Sequence, residues 1–381
     1  MTPATVLLMG LGLCLGYVNG ANDVSKGIAT LVGSGVTDYR RAILWGALCT
    51  GAGSILGMVA AKAMLATFGS GLLAAGTTPT LAAATATLIG AAACVLIATR
   101  VDMPVSTTHA IVGALAGVGA LAYGIDGVRW STMGEEIVVP LLLSPVVSLA
   151  AVVALLRSTR GSGREASAGA DCLCAEVQPV VLAASGVPGG AVASFPALGQ
   201  LRGQFVVATG TAEVCAAERP RAVRLTLDQA HWLTSGATSF ARGLNDTPKM
   251  VALVIAALAL DGSRTSTPLL FALVATGIVA GSLVAGRRVT HLLAEKVTPM
   301  NHREGFTANL VTSLLVGAGA VLGLPMSTTH VASGGIMGAG AQRASLDKKT
   351  LRDIALAWLL TLPAGALLGM AAYTIGRLAG A

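Results

Sequence analysis

Two copies of one short segment place three hydroxyl side chains together in an otherwise apolar sequence. Residues 104–109 read PVSTTH and residues 325–330 read PMSTTH. Proline followed by Ser and Thr is typical of the start of a helix, where backbone N–H groups are free and the helix dipole is positive. In a water-poor region these groups can hold an anion. The candidate anion contacts are Ser106, Thr107, Thr108, Ser327, Thr328 and Thr329.

Three hydroxyls exceed what helix capping needs. Ordinary capping uses one Ser or Thr, so the pattern favours anion contacts; the alternative is that the hydroxyls cap the helices or bond the backbone in lipid. His109 and His330 follow the two segments directly. A lone histidine is more often a structural hydrogen-bonding group than a proton carrier. For this duplicated pair both roles remain open.

A second duplicated motif brings carboxylates into apolar runs. Residues 22–26 read NDVSK and residues 245–249 read NDTPK. A carboxylate inside a membrane segment is costly enough to indicate function, and amide and carboxylate oxygens suit a small cation such as sodium. The alternative is that each aspartate caps a helix or pairs with its own lysine one turn away. The candidate cation and coupling residues are Asn22, Asp23, Lys26, Asn245, Asp246 and Lys249, with Asp23 and Asp246 also candidate substrate contacts.

Both motifs recur in the same order. Asp246 follows Asp23 by 223 positions, and Ser327 follows Ser106 by 221. Spacing that is kept to within two residues across two motifs indicates an internal repeat. The chain therefore divides into an N-terminal membrane repeat (residues 1–157), a middle segment (158–228) and a C-terminal membrane repeat (229–381).

The composition is that of a membrane protein. Of 381 residues, 54% are hydrophobic and 11% are charged, and the mean hydropathy is +0.75. No soluble core of this size needs so much apolar sequence. The net charge of +7 does not indicate a nucleic-acid partner, because the basic residues lie in short loops between apolar runs. No catalytic motif, Walker loop or dinucleotide fingerprint occurs, so the sequence indicates neither an enzyme nor a cofactor.

The basic residues predict an orientation. Suppose that the N-terminus is outside and that the third apolar run of each half forms a hairpin with its Ser-Thr-Thr segment. Basic residues such as Arg40, Arg41 and Arg157 then fall on the cytoplasmic side of the membrane. Each half then crosses an odd number of times. We therefore expect an all-α polytopic membrane protein with two inverted repeats, each containing transmembrane helices, a broken first helix and a re-entrant helical hairpin. Both termini would be outside and the middle segment cytoplasmic. Alternatively, residues 81–99 cross completely.

The middle segment has a different character. No run there is long enough to span a membrane, and β-like stretches occur at residues 177–182, 204–208 and 222–227. It is a linker or a small β-rich module. Cys172, Cys174 and Cys215 lie here. They could bind metal or respond to redox state, but a CxC motif lacks a four-ligand set, so we assign no metal site.

These motifs resemble those of the PiT family of inorganic phosphate transporters, whose members have two inverted halves, each with a Gly-Ala-Asn-Asp type signature and a Pro-x-Ser-x-Thr-His type hairpin. The resemblance covers residues 1–157 and 229–381. It implies a secondary active transporter of inorganic phosphate in the cell membrane, working by cation-coupled symport and alternating access, with sodium or a proton as coupling ion. It also implies that the Asn-Asp pairs serve the cation and phosphate site and that the Ser-Thr-Thr segments hold phosphate.

The chain departs from the family pattern at Lys26, where the family usually has a small amide. The second copy reads Thr247-Pro248-Lys249. The two ammonium groups could take the place of bound sodium, because a fixed positive charge beside a carboxylate acts as a bound cation does. Coupling would then rest on protons or be absent. The departure also leaves sulfate or another tetrahedral oxyanion open as the transported substrate. An anion channel is the alternative from another functional class. Phosphate and membrane lipid are the expected partners, and a homodimer is compatible with the sequence.

Overall fold

The chain folds into two compact units. The computed structural model describes residues 2–70, 72–74, 76–158, 171–180, 202–218, 222–341 and 345–380. One unit comprises residues 1–160 and 231–381, and the other comprises residues 161–230. Eight helices of the described residues are long and apolar enough to cross a membrane. The polytopic helical membrane protein predicted from the sequence is thereby confirmed.

The helices of the first half follow the apolar runs. Four of them begin at a side-chain cap, because Thr2, Asp38, Thr80 and Ser106 each accept a hydrogen bond from the backbone N–H three residues further on. A 3-10 turn (Ile125–Gly127) and a π-helical turn (Met133–Val138) flank the short seventh helix. The helices are α1 (Pro3–Asp23), α2 (Ser25–Gly33), α3 (Tyr39–Ala60), α4 (Lys62–Ser70), α5 (Leu81–Arg100), α6 (Thr107–Tyr123), α7 (Trp130–Thr132) and α8 (Val139–Ser158).

The second unit contains a small antiparallel sheet. Its strands are β1 (Cys172–Val180), β2 (Arg202–Gly210) and β3 (Val223–Thr226), in the order β2-β1-β3, and α9 (Ala212–Glu218) lies between β2 and β3 in the chain. Cys172 pairs with Gly210 on one side and with Thr226 on the other. The strands overlap the three β-like stretches of the sequence, of which positions 181 and 182 lie outside the described residues.

The second half is again helical. Asn301 starts one helix with a capping box. Its side chain accepts a hydrogen bond from the Glu304 N–H, and the Glu304 side chain accepts one from the Asn301 N–H. Gly323 ends that helix in the left-handed conformation, with φ of 74°. A π-helical turn, Leu292–Lys296, precedes it. The helices are α10 (Leu227–Leu260), α11 (Thr267–Ala285), α12 (Arg287–His291), α13 (His302–Leu322), α14 (Thr328–Ala341) and α15 (Lys348–Leu378).

The long helices of the two halves correspond in order. α1 with α2, α3, α5, α6 and α8 match α10, α11, α13, α14 and α15. The Ser-Thr-Thr segments lie at the starts of α6 and α14. α5 has 20 residues and α13 has 21, so their length fits a re-entrant hairpin and a complete crossing equally well. The inverted orientation of the halves stays a prediction.

The expected break in the first helix is limited to one residue in the first half. α1 ends at Asp23 and α2 begins at Ser25, but Val24 between them keeps a helical φ of −56° and ψ of −32°, and its N–H still bonds the Gly20 carbonyl. α10 continues through the second Asn-Asp pair for 34 residues, and the prediction of a broken first helix there is wrong. Pro248 lies inside α10. Its fixed φ fits a helix, but it has no N–H to bond the Leu244 carbonyl, so only the hydrogen-bond ladder is interrupted.

Two glycines allow the motif-bearing helices to approach their neighbours closely. A Cβ atom at Gly20 of α1 would collide with the Ile278 carbonyl of α11, and one at Gly243 of α10 would collide with the Thr50 carbonyl of α3. Gly243 follows Gly20 by 223 positions, which is the offset of the Asn-Asp pairs. Small residues permit such backbone contact between membrane helices. Each first helix is therefore packed against the second helix of the other half.

The last long helix of each half packs on the helical hairpin of the other half, where a helical hairpin is the packed pair α5 and α6 or the packed pair α13 and α14. α8 packs against α13 and α14, whereas α15 packs against α5 and α6. The largest buried apolar cluster also joins the halves, because it contains Leu15, Ile111 and Phe271 from α1, α6 and α11. This exchange of helices ties both hairpins into one core.

Candidate substrate and ion site

Ser106 caps α6. Its Oγ accepts a hydrogen bond from the His109 N–H at 3.3 Å, and its carbonyl accepts one from the Ala110 N–H at 3.1 Å. Thr107 and Thr108 are the first two residues of the helix, and their N–H groups have no acceptor among the described residues. The start of α6 therefore offers two backbone donors of the kind that bind anions.

The start of α14 repeats this arrangement. Ser327 Oγ accepts from the His330 N–H at 3.3 Å, and within the described chain the N–H groups of Thr328 and Thr329 again lack an acceptor. In both copies the serine caps the helix, which is the alternative to anion contact for these hydroxyls. The expectation that proline occupies the first helical turn is wrong, since the helix begins three residues after Pro104 and its copy. The helix starts after the serine because the serine Oγ accepts a hydrogen bond from a backbone N–H of the first turn.

The two helix starts contact each other. Thr329 Oγ1 donates to the Val105 carbonyl at 2.7 Å. The imidazole rings of His109 and His330 meet edge to face with their centroids 4.7 Å apart, and Ser327 Oγ lies 2.6 Å from His330 Nδ1. All five residues are buried. The two Ser-Thr-Thr segments thus form one continuous interior surface, and the histidines lie within the contact that joins them.

Lys26 forms a buried ion pair with Asp23. Its Nζ lies 2.7 Å from Asp23 Oδ1, 2.7 Å from Asn22 Oδ1 and 2.9 Å from the Asn22 carbonyl oxygen. Asp23 Oδ2 accepts hydrogen bonds from Thr107 Oγ1 at 3.0 Å and from Asn19 Nδ2 at 2.8 Å. Such bonds compensate a buried charge for its lost hydration. The first Asn-Asp pair thus holds a cation that belongs to the chain itself.

Lys249 reaches both hairpins. Its Nζ lies 3.4 Å from Asp246 Oδ1, 2.9 Å from Thr108 Oγ1 and 3.2 Å from the Met326 carbonyl oxygen. Asn245 Nδ2 donates to Asp246 Oδ1 at 2.8 Å and to the Met326 carbonyl at 2.9 Å. The Oδ1 atom of Asn245 is buried and has no partner in the part of the chain that the structure describes. The ammonium therefore bridges the two helix starts.

Asn19 and Arg242 complete the polar cluster, although neither is a candidate site residue from the sequence. Asn19 Nδ2 lies 2.8 Å from Asp23 Oδ2 and 3.3 Å from Asp246 Oδ2, so it links the two carboxylates. Arg242 donates to Thr50 Oγ1 at 2.7 Å and to Asn19 Oδ1 at 3.4 Å. Arg242 follows Asn19 by 223 positions. The repeat alignment of the aspartates could therefore have found both residues.

Five charged side chains are buried in this cluster. Lys26, Arg242 and Lys249 face Asp23 and Asp246, and each of the five is at most 4% exposed. When all are ionised, the cluster carries one uncompensated positive charge, which acts strongly in a poorly hydrated interior. With the free N–H groups beside it, the cluster can bind a monovalent anion.

A cavity of about 450 Å³ lies near the first Asn-Asp pair and is separated from it by Thr99. Its lining includes Thr99, Arg100, Arg287 and Arg288. Thr99 Oγ1 also accepts a hydrogen bond from Asn22 Nδ2 at 3.0 Å, so the cavity reaches a residue that contacts the site. The three arginines are exposed and give the cavity a positive field that attracts anions.

Comparison with known proteins gives extended matches. A family model described as the phosphate transporter family matches residues 19–369, which include both copies of each motif. The chain is 28% identical over 427 residues to "Inorganic phosphate transporter 2-1, chloroplastic" of Arabidopsis thaliana, covering 94% of this chain and 70% of that protein. It is 24% identical over 378 residues to the "Probable low-affinity inorganic phosphate transporter" of Rhizobium meliloti, covering 97% and 96%.

The fold also matches a solved structure. That structure is described as "The sodium-dependent phosphate transporter" and aligns with a TM-score of 0.76 at 23% identity, covering 99% of this chain and 100% of that chain. The fold is therefore that of a known transporter. Because the family model matches most of the length of this chain, the chain belongs to the phosphate transporter family.

Proposed function

We propose that the protein is a secondary active transporter that moves inorganic phosphate across the cell membrane by proton-coupled symport with alternating access. The observation that carries the proposal is the meeting of two hydroxyl-rich helix starts beside five buried charged side chains. The family and the names of the relatives support phosphate as the substrate. A duplicated motif that contributes twice to one interior site is typical of transporters that open it to each side in turn.

Phosphate fits the chemistry of the site better than sulfate does. The free N–H groups of α6 and α14 would donate to the oxygens of the anion, and Lys249 would add charge. Phosphate keeps at least one P–OH group near neutral pH, and Asp23 or Asp246 could accept its proton in a hydrogen bond. Sulfate has no such donor, so its oxygens would face the carboxylates without a compensating bond.

The surroundings of Lys26 favour the proton as the coupling ion. Carboxylate, amide and carbonyl oxygens lie within 2.9 Å of its Nζ, and these are ligands that a sodium ion would use. A fixed ammonium group in that place removes the need for bound sodium. The structural neighbour is described as sodium-dependent; in this chain the carboxylates of Asp23 and Asp246 would instead exchange the coupled proton.

The bias of basic residues supports an orientation with both termini outside and the middle segment (158–228) in the cytoplasm. In this orientation the arginine-lined cavity beside Thr99 opens towards the cytoplasm and forms the inner route to the site. Labelling of single cysteines from either face of oriented vesicles tests the orientation: a cysteine at Arg287 must react from the cytoplasmic face, and reaction from the outer face refutes it.

Transport of labelled phosphate by the purified protein in liposomes tests the function. We expect uphill accumulation under an inward proton gradient without sodium, with strong competition by arsenate and weak competition by sulfate. A strict sodium requirement that survives Lys26→Ala rejects proton coupling. Competition by sulfate equal to that by phosphate rejects the proposed selectivity. Flux that never exceeds equilibrium under either ion gradient identifies an anion channel instead.

A further inference from the structure

We propose that Cys172, Cys174 and Cys215, in their reduced form, bind a thiophilic metal ion of the zinc or copper(I) type. Cys172 and Cys174 lie two residues apart on β1 and therefore project from the same face of the sheet, and Cys215 lies on α9. The three sulfur atoms lie within 4.8 Å of one another, and all three side chains are buried. All three cysteines belong to the second unit.

The three cysteines form the core of this unit. Among its described residues, the buried apolar cluster consists of Cys172, Cys174, Cys215 and Ala222. Units of about 70 residues or fewer rarely gain enough stability from a hydrophobic core alone and commonly add a metal ion or a disulfide. A cross-link from β1 to α9 is therefore what the small core requires.

The structure holds Cys174 and Cys215 as a disulfide, and Cys172 is a buried free thiol beside it. A disulfide alone leaves the position of Cys172 unexplained, because it needs two cysteines. The Sγ atoms of Cys172 and Cys174 lie 4.0 Å apart. Two thiolates on one tetrahedral zinc ion, with Zn–S bonds of about 2.3 Å, lie about 3.8 Å apart. The third cysteine thus stands at the distance that a shared metal ion requires.

The two states are related by a balanced exchange. A dithiol reductant supplies two electrons and two protons, the S–S bond between Cys174 and Cys215 breaks, and the reductant becomes a disulfide. The metal ion then displaces the thiol protons and binds three thiolates. Three sulfur ligands satisfy copper(I) and leave zinc one position for an added ligand. A metal-thiolate cluster is also the form expected of such cysteines in a reducing compartment.

Metal binding by the full-length protein in detergent tests the proposal. The protein is reduced without oxygen, freed of reductant, equilibrated with Zn²⁺ or with Cu⁺ in separate arms, and analysed for bound metal. We expect one ion per chain in at least one arm, none without reduction, and binding more than about tenfold weaker in Cys172→Ser. Cys14→Ser, which changes an exposed cysteine of α1, should bind as the wild type does.

A second measurement uses the wild type alone and does not depend on the folding of variants. Bound metal should protect Cys172, Cys174 and Cys215 from maleimide in the reduced protein, as mapped by mass spectrometry, and a chelator should restore their reaction. The proposal is overturned if neither ion binds the reduced wild type, if Cys172→Ser binds as tightly, or if metal leaves the labelling of these cysteines unchanged.

Discussion

Lys249 Nζ lies 2.9 Å from Thr108 Oγ1, although the two residues belong to different halves and are 141 positions apart. The same ammonium contacts Asp246 on its own helix and the Met326 carbonyl before the second Ser-Thr-Thr segment. One side chain therefore touches all three parts that the proposed anion site requires. Any movement that separates the hairpins has to break at least one of these contacts.

Replacement of Lys249 by methionine removes this bridge and one buried positive charge. A hydrogen bond to a charged group contributes about 1.5–3 kcal/mol, so we expect the KM for phosphate to rise about tenfold or more. Initial rates of phosphate uptake into liposomes measure the change. Lys62→Met alters an exposed lysine and should leave KM unchanged. A wild-type KM in Lys249→Met would remove this residue from the substrate site.

Replacement of Arg242 by leucine should destabilise the membrane unit. Thr50 and Asn19 lose their charged donor, and the buried carboxylates lose one of three nearby cations. Loss of one partner from a buried charge cluster costs about 3 kcal/mol, so the thermal midpoint in detergent should fall clearly. Arg264→Leu, at an exposed position, is the matched control. Equal midpoints for the two variants would show that the cluster does not need the guanidinium group.

Replacement of Gly20 by alanine should disrupt the crossing of α1 and α11, because the added Cβ meets the Ile278 carbonyl. Overpacking of this kind costs about 1–3 kcal/mol, and the thermal midpoint should fall. Gly10→Ala lies on the same helix, where nothing stands within 4 Å of a Cβ, and should be neutral or up to about 1 kcal/mol stabilising. A Gly20→Ala protein as stable as Gly10→Ala would contradict the close approach.

Asp261 should contribute stability that depends on pH. Hydroxyl groups of Ser263, Thr2 and Thr5 donate to Oδ2, and these bonds lower the pKa of Asp261 below its usual 3.8. The contribution is fully present above the unfolded pKa and is lost as the pH falls through the lower folded pKa. The difference in thermal midpoint between wild type and Asp261→Ala should therefore be constant near neutral pH and shrink as the pH falls from 3.8 through the lower folded pKa. A difference that grows on acidification would reverse the assignment.

The fold was largely predictable because its signals are local. Apolar runs bounded by Thr80 or Asp38 become helices at those caps, and the motif offsets indicate the duplication before any contact is known. The continuity of α10 through Pro248 was not predictable in this way. Proline fits a helical φ and also fits a break, and the packing of α10 against its neighbours decides between them.

The polar cluster was only partly predictable. The pairing of Asp23 with Lys26 follows from helical spacing. The contact of Lys249 with Thr108 depends on the packing of α10 against α6, which no local pattern specifies. Arg242 was missed because a basic residue near the end of an apolar run also suits a membrane surface. Its position in the repeat, opposite Asn19, was the signal that would have placed it inside.

The exchange of α8 and α15 between the halves affects how the protein is made. The hairpin formed by α5 and α6 leaves the ribosome more than two hundred residues before α15, the helix that packs on it. Until Lys348–Leu378 has been synthesised, that hairpin lacks its packing contacts with α15. The fold is therefore completed only with the final helix, and a chain that stops before it leaves the N-terminal hairpin packed on α1 but without α15.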